Sequence, residues 1–277
     1  MKSTAPVAAK INLALVVGEP QEDGRHELIT VLQRIDICDR IELEPAGTLE
    51  VEGFKEDTLV RSALTALAQT AGGSPAWRAR LRKRIPVAAG LGGGSADAAA
   101  ALVLANETLP EPLGDTALHE LAAKLGADVP FFLAPGPKLA EGAGECLSPL
   151  ELPQDYWVLV ALPRRTRKEG TGAVYGRFDE IGGAAGFAER KAALLDALAA
   201  CRRPRDFGAF PPNDLAAAAA DGTAPFVAEL RERGAFRADV SGSGPAVYGL
   251  FHRREHAAAA ARRLRLRARV WITAPVW

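Results

Sequence analysis

The densest run of glycine in the chain, Gly90-Leu91-Gly92-Gly93-Gly94-Ser95, leads directly into an alanine-rich stretch from Ala98 to Asn106. Glycines let a backbone approach a ligand closely and take positive φ, and the unpaired N–H groups that open a following helix favour an anion, so phosphate is the natural guest. The Ser95 hydroxyl adds a donor or a metal ligand. The segment lacks the Walker A pattern GxxxxGK[ST], and Ser95 stands where the dinucleotide fingerprint GxGxxG has its third glycine. For the loop alone, a turn that merely lets a helix pack closely is the alternative. Asp128 is the candidate base, set between a helix ending at Gly126 and Pro130, whose ring biases Val129 to extended geometry. A carboxylate held there can orient and deprotonate a hydroxyl, the alternative being a turn aspartate bonded to its own backbone. Lys10 falls on a strand, and an ammonium inside a sheet needs a counter-ion or a bound anion; a Lys10–Asp128 pair would meet that need. The string His252-Arg253-Arg254-Glu255-His256 matches the zinc-peptidase pattern HxxEH. His252 falls at a strand end and no third ligand motif follows, so a metal role is rejected.

Elements must hold these residues in place. KINLALVV at 10–17 puts Ile11, Leu13, Leu15 and Val17 on one strand face and Lys10 and Asn12 on the other. After a turn at 20–24, strand-like sequence covers 29–37 and 41–43. Asp57-Thr58 offers an N-cap to a helix carrying Leu59, Val60, Ala63, Leu64, Leu67 and Ala68, closed by Gly72. A strand over 77–85 precedes the glycine loop, and a helix over 118–125 precedes Asp128. Beyond a soft boundary near 154, the pattern predicts a strand over 157–162, a basic loop over 163–172, and helices near 187–200, 213–219 and 225–233. Strands at 235–240 and 246–251 flank the SGSG turn, followed by a helix at 254–263. A last strand over 264–272 alternates Leu264, Leu266, Ala268, Val270 and Ile272 with four arginines.

Composition sets the outer limits. The chain has 277 residues, 48% hydrophobic and 25% charged, enough to bury a sizeable core, and its length favours two domains. Thirty-four basic residues balance thirty-four acidic ones, so no global field attracts nucleic acid or an anionic membrane. Local clusters survive in that zero: Arg78, Arg80, Arg82, Lys83 and Arg84 lead into the glycine loop, and Arg164, Arg165, Arg167 and Lys168 form a second group, which predicts a locally electropositive cleft. No run suits a membrane helix, and the first residues do not read as a secretory signal. Cys38, Cys146 and Cys201 form no CxxC pair and read as reduced, mostly buried thiols.

Phosphate loop, strand lysine, loop aspartate and late SGSGP turn come in an order that resembles the GHMP small-molecule kinases. The resemblance rests on AKINLAL at 9–15, DGRHEL at 23–28, IPVAAGLGGGSADAAA at 85–100, LGADVPFFL at 125–133, EGAGECLSPL at 141–150, NDL at 213–215 and SGSGPAV at 241–247. It implies the two-domain α+β GHMP kinase fold: residues 1–154 as a ribosomal-protein-S5-domain-2-like N-terminal domain with the phosphate loop and catalytic residues, and 155–277 as a ferredoxin-like C-terminal domain. By the same resemblance the active site occupies the cleft between them, and Lys10 and Asp128 are catalytic. ATP would be held by Pro86, Val87, Ala88, Ala89, Gly90, Leu91, Gly92, Gly93, Gly94, Ser95 and Ala96, with Lys83 beside the nucleotide and Ser95 touching Mg²⁺. Asn12, Arg25, His26 and Tyr175 would bind the substrate. In the member most resembled, that substrate is diphosphocytidyl methylerythritol, phosphorylated on its 2-hydroxyl. Arg25 replaces the family's usual tyrosine, expected to stack on cytosine, and its planar guanidinium can also stack. The first residues and the balanced charge lead to the expectation of a cytoplasmic protein with no nucleic acid or membrane partner, and a monomer or weak homodimer is expected. A GHMP kinase for mevalonate, homoserine or a sugar, a GHMP-fold decarboxylase and a noncatalytic nucleotide-binding regulator are the alternatives.

Overall fold

In a computed structural model of the chain, which describes residues 2–54, 58–72, 75–166, 170–219 and 222–277, the KINLALVV alternation lies inside a longer strand, β1 (Ser3–Pro20). After it come β2 (His26–Ala46), β3 (Glu50–Glu52), α1 (Leu59–Ala71), β4 (Ala76–Arg82), α2 (Gly93–Asn106), α3 (Asp115–Leu125), a 3₁₀ turn at Pro130–Leu133, β5 (Lys138–Glu141) and β6 (Cys146–Pro149). The rest comprises β7 (Trp157–Pro163), α4 (Thr171–Glu180), α5 (Phe187–Ala200), 3₁₀ turns at Pro204–Ala209 and Asp214–Ala217, α6 (Ala224–Glu232), β8 (Arg237–Val240), β9 (Val247–Phe251), α7 (Arg254–Leu264), β10 (Ala268–Thr273) and β11 (Pro275–Val276). The chain forms two compact units that interleave in sequence. One comprises Met1–Ala9, Ile37–Val87 and Gly92–Pro135, the other Lys10–Asp36, Ala88–Leu91 and Gly136–Trp277. Residue 154 falls in the irregular stretch between β6 and β7.

In the first unit β4 pairs antiparallel with the end of β2 and parallel with β3. Val60, Ala63, Leu64 and Leu67, spaced i, i+3, i+4 and i+7, form the buried stripe of α1, which ends at Gly72 with φ +72°. That stripe packs on α2. Because α2 buries Ala98, Ala99, Ala101 and Ala105, all small side chains, the neighbouring helix can approach closely. Trp77 is buried beneath them with its indole N–H donating to the Thr108 hydroxyl at 2.8 Å, so its polar edge is satisfied.

In the second unit β10, β7, β9 and β8 form an antiparallel sheet in that order. Counted along the chain as β-α-β-β-α-β, the order is 4-1-3-2, the ferredoxin-like arrangement. Leu159, Ala161, Val240, Val247 and Phe251 bury themselves against Leu230 of α6 and Ala257, Ala261 and Leu264 of α7. A second cluster joins Leu15, Val17 and Leu28 to Val174 and Phe178 of α4 and to Leu215. Burying Phe178 contributes about 1.5–3 kcal/mol and anchors α4.

Several sequence expectations change. The strand pieces at 29–37 and 41–43 are one continuous strand. Val129 is right-handed helical (φ −65°, ψ −44°) rather than extended, because it opens the Pro130 3₁₀ turn, where proline suits the first helical position. The predicted strand over 264–272 begins only at Ala268: Leu264 closes α7, and Leu266 is 89% exposed in the turn between. The alternation there was real, but a helix end and a turn claimed its first half. The loop over 163–172 gives way to α4 at Thr171, and the helix near 213–219 is a single 3₁₀ turn. Thr58 caps α1 without a side-chain bond, and Asp57 lies outside the described residues. None of the three cysteines is in a disulfide, and only Cys201 is buried; Cys146 is exposed and Cys38 half-buried. No helix among the described residues is long and apolar enough to cross a membrane.

Candidate active site

The second unit gathers Lys10, Asn12, one part of the glycine loop and the SGSG turn. Alternation along β1 puts Lys10 and Asn12 on one face, and both are buried. The Lys10 ammonium donates to Asn12 Oδ1 at 2.8 Å, Asn12 Nδ2 donates to the Thr30 hydroxyl at 2.9 Å, and that hydroxyl donates to the Ala14 carbonyl at 2.6 Å. Ala88–Leu91 is fastened beside them: Lys10 N–H donates to the Leu91 carbonyl (3.0 Å), Ala246 N–H to the Ala89 carbonyl (3.0 Å) and the Ser241 hydroxyl to the Gly90 carbonyl (2.9 Å). Gly90 has φ +79°, and a Cβ there would lie 2.1 Å from the Ser241 carbonyl oxygen, so only glycine fits. Asn213 also holds the turn, its Nδ2 donating to the carbonyls of Val240 and Gly242. Tyr248 donates to the Asn12 carbonyl at 2.9 Å. Burial pushes that phenol up to about 12, so it stays a neutral donor.

His26 sits in a second group of the same unit. α4 presents Tyr175, Phe178 and Asp179, spaced i, i+3 and i+4, on one helix face. The His26 ring lies 4.7 Å from the Tyr175 ring and edge-on to Phe178, and its Nε2 is 2.7 Å from Asp179 Oδ1. Sequence reasoning missed Asp179, although its i+4 spacing from Tyr175 was readable once 171–180 is taken as a helix. Arg25 is exposed, with Nε donating to Asp23 Oδ2 at 2.7 Å and Glu145 at 3.7 Å from its Nη1. Two carboxylates thus hold the guanidinium where the resemblance expects a stacking ring.

In the first unit, α2 starts at Gly93 behind Gly92 (φ +69°), and no side chain caps it. Its opening amides are therefore left for a ligand or water. Half-buried Ser95 lies in this first turn. Asp128 is half-buried in the turn between α3 and Pro130–Leu133, braced by Val129 N–H donating to the Gly126 carbonyl at 3.0 Å. Lys83 faces two fully buried carboxylates, Asp39 Oδ2 at 2.5 Å and Asp97 Oδ2 in a short hydrogen bond. Asp39 Oδ1 also accepts the N–H groups of Arg84 (2.5 Å) and Ile85 (2.8 Å), so the triad ties the entrance of the glycine loop to the start of α2. Burial pulls the ammonium of Lys83 down, yet Asp97 and Asp39 together outweigh it and hold its pKa above the ordinary lysine value.

The basic cluster before the loop is largely compensated. Arg78 pairs with Glu50, Arg80 with Glu52, and Arg82 with Glu42 across neighbouring strands. These arginines form a charge ladder on the sheet, so the net positive field expected from this cluster is reduced at its source. Of the second cluster, Arg167 and Lys168 lie outside the described residues. The His252 ring stacks on Phe236 at 4.5 Å, and His256 lies on α7.

Comparison with known proteins shows the family. Residues 58–136 match the GHMP kinases N terminal domain and residues 207–269 the GHMP kinases C terminal domain. A 4-diphosphocytidyl-2-C-methyl-D-erythritol kinase of Anaeromyxobacter sp. (strain Fw109-5) is 39% identical, over 95% of this chain and 86% of that protein. One from Pelotomaculum thermopropionicum is 41% identical, over 90% and 89%. A crystal structure of 4-(cytidine 5'-diphospho)-2C-methyl-D-erythritol kinase superposes with a TM-score of 0.78 at 34% identity, covering all of both chains. Mevalonate kinase from Methanococcus jannaschii, at 13% identity and a TM-score of 0.77 over 100% of this chain and 99% of that one, shares the fold.

Proposed function

We infer that this chain, which belongs to the GHMP kinase family and within it to the 4-diphosphocytidyl-2-C-methyl-D-erythritol kinases, transfers the γ-phosphoryl group of ATP to the 2-hydroxyl of 4-diphosphocytidyl-2-C-methyl-D-erythritol. The products are ADP and the 2-phosphate, an intermediate of non-mevalonate isoprenoid precursor synthesis. The observation that carries the reading is the convergence of Lys10, Asn12, Ala88–Leu91 and the Ser241–Gly244 turn in one hydrogen-bonded cluster.

Phosphoryl transfer has a loose transition state, so positioning and charge stabilisation dominate. Asp128 accepts the proton of the attacking hydroxyl as the new O–P bond forms and the bond to ADP breaks. Lys10 offsets the charge that builds on the transferring group. The loop from Pro86 to Ala96 cradles the triphosphate through its amides. Among the described residues no three His, Cys, Asp or Glu side chains gather into a metal site. Ser95, half-buried in the first turn of α2, would hold a Mg²⁺ ion together with the phosphates, and such an ion would neutralise phosphoryl oxygens. Asn12, His26, Tyr175 and Arg25 take the diphosphocytidyl alcohol, with Tyr175 on cytosine. Lys83, tied to two carboxylates, acts beside the nucleotide by shaping the loop.

Phosphorus NMR after incubation with ATP, Mg²⁺ and the diphosphocytidyl alcohol tests substrate and position together. A new phosphomonoester on the 2-oxygen is expected; ATP binding without that product sinks the reading. Asp128→Asn should lower turnover by about 10²–10⁴-fold with nucleotide still bound.

A further inference from the structure

The direction of every bond in the chain Lys10–Asn12–Thr30–Ala14 is fixed. A carbonyl oxygen only accepts, so the single hydroxyl proton of Thr30 is spent on the Ala14 carbonyl, 2.6 Å away. Thr30 Oγ can then only accept from its other neighbour, which makes the Asn12 atom 2.9 Å away the amide nitrogen. The carboxamide oxygen is thereby turned to the Lys10 ammonium, a pure donor, at 2.8 Å. Flipping Asn12 would set NH₂ against an ammonium and a carbonyl against an oxygen with no proton left, losing both bonds at once. All three side chains are buried, Lys10 at 4% exposure, Asn12 at 3% and Thr30 at 4%, so water cannot substitute freely.

We propose that Thr30 is a positioning residue for the reaction: through Asn12 it fixes where the Lys10 ammonium stands, although it touches neither substrate nor nucleotide itself. The proposal rests on the functional reading above for Lys10. Its structural content stands independently, because the hydrogen-bond direction is a property of the free protein. β-Branching suits Thr30 to a buried strand and leaves its side chain little rotamer freedom, so the hydroxyl is aimed before any ligand arrives.

Thr30→Val keeps size and branching and removes both the donor and the acceptor. It should lower kcat by about ten- to a hundred-fold, the scale of a small misplacement of a catalytic group, with KM for ATP within about twofold. Thr30→Ser, which restores the hydroxyl, should recover at least about half of the wild-type kcat. Thr30→Cys, a weaker donor and acceptor of similar size, should fall between them and serves if the valine variant does not fold. Side-chain ¹⁵N NMR of the Lys10 ammonium, assigned with Lys10→Arg and recorded without ligands, is the second readout. The Lys10 signal should be shifted or lost in Thr30→Val and wild-type-like in Thr30→Ser. A valine or cysteine variant with wild-type kcat and an unmoved Lys10 signal overturns the proposal, as does a serine variant as impaired as valine. If wild-type protein makes no 2-phosphate, the functional reading fails by itself, and the NMR comparison still decides whether Thr30 sets Lys10.

Discussion

Asp179 has no chemistry of its own to announce, yet it holds the Nε2 edge of the buried His26 ring. Its carboxylate 2.7 Å from Nε2 favours a proton there, and the tilted Tyr175 ring limits the imidazole's rotation. Replacing Asp179 with alanine should raise KM for the cytidyl alcohol several-fold and leave KM for ATP unchanged; equal changes in both would detach Asp179 from the substrate. At this scale the sequence was informative where a residue type is unusual for its setting. A lysine and an asparagine two apart on an apolar strand, and six residues of glycine-rich loop before alanines, stood out. Thr30 and Asp179 did not, because their roles depend on which partner the fold brings within 3 Å. Arg25 was legible as a departure, but its commitment to Asp23 and Glu145 was not.

Among the elements, β4 and α2 depend on each other through Lys83. Removing the ammonium in Lys83→Met leaves Asp39 and Asp97 facing each other without a cation, and breaking a buried pair in this way costs about 3–5 kcal/mol. Chemical denaturation should show that loss, and nucleotide affinity should fall with it because the loop entrance is no longer tied to the helix. Element types were readable where periodicity was strong: Val60, Ala63, Leu64 and Leu67 declared α1. They failed where one pattern crossed a boundary. Leu264 to Ile272 alternates with arginines, but nothing in that alternation shows that Leu264 completes a helix stripe with Ala257, Ala260 and Ala261. Pro130 misled about Val129 because proline as the first residue of a turn tolerates a helical neighbour that proline elsewhere discourages.

For the molecule as a whole, a formal charge of zero conceals sorting into local pairs. The consequence is a directional response to alkali. Lys83 has a folded pKa above its unfolded one, so its stabilisation is complete below the ordinary lysine value of about 10.4 and fades as pH climbs through the raised value. Tyr248, pushed up to about 12 by burial, shifts stability in the same direction. Denaturation midpoints from pH 8 to 11 should therefore fall more steeply at the alkaline end for the wild type than for Lys83→Met, and parallel curves would show that the triad carries no such linkage. The two-domain α+β class was legible in the sequence because motifs from residue 9 to residue 247 follow one order. The interleaving of the compact units was not, because it is decided by contacts far apart along the chain.

Cys146, exposed on β6, follows Glu145, the residue that faces Arg25. Cys201 is buried, and burial also pushes its thiol up, so at neutral pH it is a poor target for an alkylating dye. A maleimide fluorophore should accordingly label Cys146 well before Cys201, and a Cys38→Ser background removes the half-buried competitor. Emission from that dye should change on titration with the cytidyl alcohol and stay flat with ATP alone. An accident of sequence thus places an attachment point for an optical probe next to the residue that faces Arg25.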